Sequence, residues 1–200
     1  MEIKIFTKGI FQVNSYLVLN KKEAIIIDPF DSKEFLEGIK NHKVTYIILT
    51  HGHIDHILAV NELQEKTKAK IAIHKDDLKL LNNENGNMSK EFDYNLGKIN
   101  PDIILEDKQK LDFEDREIGV IHTPGHTQGS ICLLIKNVLF SGDTLFKESI
   151  GRTDLPGGDL DQEIKSIHEK LLTLPDKTIV LPGHGPRTTI KEEKEGNFFL

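Results

Sequence analysis

Residues 46–56, YIILTHGHIDH, run an apolar stretch directly into three histidines and an aspartate. A short β-branched run such as VTYIILT, residues 44–50, reads as a buried strand, so the polar cluster stands where that strand leaves the core. His51 and His53 lie two residues apart, and in extended backbone both project to one face. Imidazoles packed together near neutral pH repel one another if protonated and need partners if neutral and buried. A shared cation meets both demands, so this strand end reads as part of a metal site.

The rest of the chain alternates strand and helix patterns. MEIKIFTKGIF, residues 1–11, alternates apolar and polar residues as a strand does. QVNSYLVL (12–19) and EAIIID (23–28) read as strands paired around the turn NKKE. DSKEFLEGIK (31–40) opens on a capping residue and places Phe35, Leu36 and Ile39 for a helix. IDHILAVNELQEKTK (54–68) reads as one helix, AKIAIH (69–74) as a strand and KDDLKLLN (75–82) as a short helix. In the second half REIGVIH, SICLLIK and NVLFSGD read as consecutive strands, DLDQEIKSIHEKLLTL as a helix and TIVLPGHG as a last strand. Residues 82–102, NNENGNMSKEFDYNLGKINPD, read as an irregular connection, and loops of this length inside a compact domain are often functional. Nothing else resembles a linker, so residues 1–200 are expected to form one α/β domain. The mixed-charge KEEKE near the C-terminus reads as a solvated segment.

More candidate donors stand at the ends of those strands. HTPGHTQGS places His126 between two apolar strands, LFSGDT ends a strand on Asp143, and VLPGHGP ends one on His184. In layered α/β folds, rigid strands aim such loop residues at a common point. Taken singly, Asp55 reads more readily as a helix cap, Asp143 as a turn residue and His184 as a surface loop histidine than any of them does as a metal ligand. Their joint placement with HGHIDH favours ligation.

THGHIDH, TPGHTQGS, SGDTLF and LPGHGP, in that order, resemble the metallo-β-lactamase superfamily over nearly the whole chain. The resemblance implies an αββα four-layer sandwich: two mixed β-sheets face to face, helices on the outer faces, and a dinuclear metal site along one edge. The family pattern puts His51, His53 and His126 on one ion, Asp55, His56 and His184 on the other, and Asp143 between them. Asp28, in IIIDP, matches an acidic residue behind the metals that orients a ligand or its loop. SGDTLFKESIGRTDLPGGD looks most like the short glyoxalase II-like hydrolases, which cleave S-acyl thiol conjugates such as S-lactoylglutathione. Arg152 in GRTD falls where that family places a basic residue on the glutathione carboxylate, although an ion pair with Asp154 or Asp159 accounts for it equally well. Full-length glyoxalase II enzymes carry a C-terminal helical extension that helps grip glutathione, and this sequence stops soon after PGHGPRTTIKEEKEGNFFL.

Imidazole and carboxylate donors without thiolate suit two divalent ions, zinc foremost, with iron or manganese as alternatives. Such a pair, about 3.5–4 Å apart, holds a bridging hydroxide at neutral pH and polarises the carbonyl it attacks, with Asp55 and Asp143 as the catalytic carboxylates. No further acid is placed to protonate a poor leaving group, whereas a thiolate, of parent thiol pKa about 8.5, needs little help. Thioester hydrolysis is therefore the expected reaction. Persulfide dioxygenases share the fold and GRTD, and would use one iron on His53, His126 and Asp143, but their motif runs on differently from LPGG. Class B β-lactamases generally use Cys where Asp143 stands, and flavodiiron proteins place Glu where His53 stands. A non-catalytic metal-binding or interaction module is the alternative of another class.

Composition excludes other partners. The net charge of −6 and the interleaving of lysines with glutamates argue against nucleic-acid binding. No apolar run approaches membrane-spanning length, and the N-terminus lacks the apolar core of a signal peptide. Cys132, the single cysteine, sits in the apolar run ICLLI and reads as a buried, inert thiol, in keeping with a cytoplasmic protein acting on a small acyl-thiol substrate.

Overall fold

The computed structural model describes residues 1–200. Strands β1 (Glu2–Lys8), β2 (Val13–Asn20), β3 (Glu23–Ile27), β4 (Lys43–Ile48), β5 (Lys70–His74) and β6 (Ile103–Leu105) form one sheet in sequence order. The first three are antiparallel, and β3 to β6 run parallel. Helices α1 (Lys33–Ile39), α2 (Ile54–Ile57) and α3 (Val60–Thr67) make the crossovers, and α4 (Leu78–Leu81) follows β5. The second sheet contains β7 (Lys110–Phe113), β8 (Arg116–His122), β9 (Ile131–Ile135), β10 (Val138–Gly142), β13 (Ile179–Pro182) and β14 (Thr188–Thr189), in the order β14-β13-β10-β9-β8-β7. Only β10 and β13 are parallel in it. A small hairpin, β11 (Leu145–Phe146) and β12 (Ser149–Ile150), precedes α5 (Leu160–Ser166), and α6 (Ile190–Gly196) follows β14.

Period-two patterning builds the layers. Tyr16, Val18, Ile25 and Ile27 face the second sheet and pack with Leu133, Phe140 and Leu181, while Leu17, Leu19, Ala24 and Ile26 turn outward onto Phe35 of α1 and Leu63 of α3. On the far side, Cys132, Leu139 and Val180 bury against Ile167 and Leu171, which extend α5. Helix, sheet, sheet and helix thus stack in four layers, as expected. Both central faces of β2 are covered, which is why all eight of its residues are buried.

Three local expectations need correction. IDHILAVNELQEKTK is two helices: the Ala59 N–H donates to the Pro29 carbonyl (3.0 Å), which interrupts the helical ladder and ties its first turn to the segment after β3. KEEKE lies within α6, capped by Thr189, and its Lys191, Glu192, Lys194 and Glu195 are exposed as expected, but Glu193 is buried and accepts from the Glu148 N–H at 2.9 Å and from the Thr188 hydroxyl. The predicted helix over 159–174 begins at Leu160, capped by Asp159, and widens into a π-helical segment from Ile167 to Leu171. Residues 82–102 hold no helix or strand. Their amides satisfy the backbone instead: Asn82 exchanges hydrogen bonds with Ile99, and Asn83 and Asn87 accept from nearby N–H groups.

Candidate metal centre

Six strands of the two sheets end on one edge, and the polar residues follow within a few positions. Asp28 follows β3, Thr50 and His51 follow β4, Asp77 follows β5, His126 follows β8, Asp143 follows β10 and His184 follows β13. All seven candidate donors meet there. The ligand-capable atoms of His51, His53 and His126 lie within 4.8 Å of one another, as do those of Asp55, His56 and His184. Asp143 touches both groups: its carboxylate stands 3.3 Å from His56 Nε2, 3.4 Å from His184 Nε2 and 3.7 Å from His126 Nε2. Two nitrogens bound to one zinc at tetrahedral angles stand about 3.3 Å apart. Here His56 Nε2 and His184 Nε2 are 3.4 Å apart, and His53 Nδ1 and His126 Nε2 are 2.9 Å apart.

The surrounding residues fix which nitrogen each ring presents. His56 Nδ1 donates to Asp28 (2.9 Å), His126 Nδ1 to the Arg152 carbonyl (2.6 Å) and His184 Nδ1 to the Phe11 carbonyl (3.0 Å). The Thr50 hydroxyl donates to Asp28 at 2.6 Å, so it accepts from His51 Nδ1 at 3.1 Å. All four rings therefore turn Nε2 inward, and His53 turns Nδ1. His51 Nε2 and Asp143 Oδ1 are buried with no hydrogen-bond partner, which is the signature of donors shaped for a cation. Gly183 completes the cradle, because a Cβ there would overlap Asp143 Oδ1 and press on the His56 ring. The donor set thus fits a pair of metal ions.

Electrostatics divide the cluster. Burial, reinforced by neighbouring imidazoles, holds His51 well below the usual range and pushes His53 down to about 3, so both rings are neutral and ready to ligate. Burial also opposes charge on His56 and His184, yet the nearby carboxylates outweigh it: His56 is raised well above its usual value and His184 is pushed up to about 10. Asp143 is held low by those two rings against its own burial. Protons shared among these three residues sit where a cation fits, and binding one releases them.

Asp28 accepts from the Thr50 N–H, the Thr50 hydroxyl and His56, at φ 51°. Arg152 lines the cavity mouth but forks onto Asp154 with two 2.8 Å hydrogen bonds. Sequence reasoning missed two buried carboxylates. Asp77 joins the two histidine loops, accepting from the Gly52 and Gly129 N–H groups and the Thr127 hydroxyl. Glu163 accepts from the His126 N–H at 2.8 Å, and burial pushes it up to about 8. Each sits at a helix start or within an amphipathic pattern, where a carboxylate is ordinarily a cap or a solvated charge. Asn14 and Tyr16 were missed as well, and both donate to the Pro182 carbonyl that precedes His184. Of the histidines set aside, His74 accepts from the Asp76 N–H and His122 bonds the Gln128 carbonyl, both as expected.

A model of the metallo-β-lactamase superfamily matches residues 9–184, and the chain belongs to that superfamily. It is 36% identical, over 100% of its length and 98% of the relative's, to the hydroxyacylglutathione hydrolase GloC of Haemophilus influenzae. Among solved structures it is similar to the B3 metallo-β-lactamase BLEG-1, with a TM-score of 0.93 at 38% identity over 100% of this chain and 99% of that one. It is also similar to TTHA1623 in a di-iron-bound form, with a TM-score of 0.86 at 35% identity over 98% and 100%.

Proposed function

We propose that this chain is a dinuclear metal-dependent hydrolase that cleaves S-acyl conjugates of a small thiol. His51, His53 and His126 would hold one ion, Asp55, His56 and His184 the other, and Asp143 both. The bound ions, zinc foremost, supply an activated water and polarise the carbonyl. In the overall reaction the water oxygen forms a new bond to the acyl carbon and the C–S bond breaks. The thiolate leaves with the electron pair, and the two water protons pass to the thiolate and to solvent.

The observation that carries the choice of bond is the makeup of the cavity wall. Its titratable residues are the metal donors His53, Asp55, His126, Asp143 and His184, together with Arg152. Glu163, whose carboxyl burial pushes up to about 8, lies behind His126 and outside the wall, so it is unavailable to a leaving group. A site with no spare acid suits a leaving group that departs as an anion, as a thiolate does. The chain's own residues do the positioning. Asp28 and the Arg152 and Phe11 carbonyls orient three rings, and the Phe146 and Ile150 side chains exclude water from one side. The name of the Haemophilus relative supports the same class of substrate, and S-lactoylglutathione is the first conjugate to assay.

Asp143→Ala tests the reading, with loss of bound metal and of thioesterase activity expected together. Hydrolysis that persists without metal refutes it. One iron per chain with rapid oxygen uptake on a persulfide would replace it with the dioxygenase reading, and preferential cleavage of a β-lactam would replace it with the activity named for BLEG-1.

A further inference from the structure

The cavity above the donors is half apolar, and that composition restricts the substrate further than the reaction does. It encloses about 360 Å³. Phe11 from the β1–β2 turn and Phe92 from the Asn-rich connection meet edge to face in its wall, ring centroids 4.7 Å apart at 86°. Met88 stands with them, and Phe146, Ile150 and Leu155 line the wall from the β11–β12 hairpin onward. The connection over 82–102 is thus a built wall. Its backbone is pinned to the metal-bearing segment by the Ile54 N–H, which donates to the Asn87 carbonyl at 2.9 Å.

Charge at the mouth is nearly balanced. Arg152 is the one lysine or arginine in the wall, and the fork to Asp154 offsets it, with Glu91 adding a second negative charge nearby. A glutathione conjugate brings two carboxylates, and here they would share one guanidinium that is already paired. A polar hydroxyacyl group gains nothing from an aromatic and aliphatic wall, whereas methylenes bury there at a favourable transfer free energy.

We infer that the substrate is a thioester carrying a short apolar group beside the scissile bond on a carrier thiol with at most one anionic group, a reading that rests on the thioester hydrolysis proposed above. The seven apolar side chains of the wall, Ile54 included, select that group, and Phe92, packed on Phe11, is the specificity-determining residue.

The test uses the metal-loaded protein and two series built on N-acetylcysteamine, an uncharged thiol: acetyl, propionyl and butyryl thioesters, and S-methyl to S-butyl thioethers that cannot be cleaved. Each buried methylene is expected to raise kcat/KM, and to tighten thioether binding by calorimetry, about fourfold. Butyryl should thus exceed acetyl by about fifteenfold for two methylenes. S-butyryl-N-acetylcysteamine should outrun S-lactoylglutathione, and Phe92→Ala should cut the butyryl-to-acetyl ratio at least ~3-fold, in binding as in turnover, as part of the apolar wall is lost. Rates that stay flat or fall with chain length, or a preference for S-lactoylglutathione, overturn this inference and leave thioester hydrolysis standing. Thioether binding that tightens with length while no thioester is cleaved upholds the apolar cavity and overturns the hydrolase reading instead.

Discussion

Asp77→Asn probes the part of the centre that holds two loops in register. The Asp77 carboxylate is 1% exposed. Oδ2 accepts the Gly52 N–H and the Thr127 hydroxyl at 2.9 Å each, and Oδ1 accepts the Gly129 N–H at 2.8 Å. An asparagine that keeps its carbonyl on the Oδ2 side turns its NH2 toward the Gly129 N–H, donor against donor. One buried N–H is then orphaned, which costs about 1–3 kcal/mol. The two surviving hydrogen bonds lose a charged acceptor, which weakens them by about 1 kcal/mol each. Relief of the carboxylate's own desolvation, which outweighs those hydrogen bonds and so raises the Asp77 pKa, returns about 2 kcal/mol. The net loss is about 2 kcal/mol, read as a lowered urea midpoint of the metal-free protein at unchanged m-value. Gly52 lies between His51 and His53, and Thr127 adjoins His126, so the same change loosens three donors. Competition against a chromophoric chelator should show metal affinity down by about 10–100-fold. A stability change under about 0.5 kcal/mol with metal affinity intact would refute this account of Asp77, since that is the scatter expected of an unremarkable surface substitution.

Gly183→Ala is expected to abolish metal binding while leaving the far-ultraviolet circular dichroism unchanged, because the added methyl overlaps Asp143 at the site and not in the core. Metal at about a thousand times its dissociation constant stabilises the fold by about 4 kcal/mol, so chelation should lower the Tm by about 8–16 °C in calorimetry. His74, pushed down to about 4 by burial and by the stacked His122 ring, is neutral when folded but takes up a proton below about pH 6.5 when unfolded. Its contribution is therefore complete above pH 6.5 and is lost as the pH falls toward 4. The stability gap between the native chain and His74→Asn should narrow by about 1.5 kcal/mol between pH 7.5 and 4.5, after allowance for solvent screening, and a gap independent of pH would contradict it.

The donors were legible because each breaks a local rule at the end of an apolar run, and a strand end is a place a sequence can announce. The layering was legible for a related reason: the alternation in β2 and β3 assigns Tyr16 and Val18 to one face and Leu17 and Leu19 to the other. Less visible were roles that depend on distant partners. Nothing local to Asp77 or Glu163 signals that its hydrogen bonds reach loops 50 or 37 residues away along the chain. The break at Ala59 depends on the Pro29 carbonyl, and the burial of Glu193 on the Glu148 N–H. Two-residue strands such as β11 and β14 carry too little pattern to read at all. The apolar cavity wall was hidden by its setting, since Met88 and Phe92 stand in an Asn-rich stretch without periodicity.

Four of the donors belong to the first sheet's half of the chain and three to the second's, with 128 residues separating His56 from His184. Neither half owns a complete pair of coordination spheres, so full loading with metal waits until the halves have docked. Occupancy of the centre thereby becomes a rivet across the seam, and a chain that parts along that seam forfeits its ions and its chemistry in a single event.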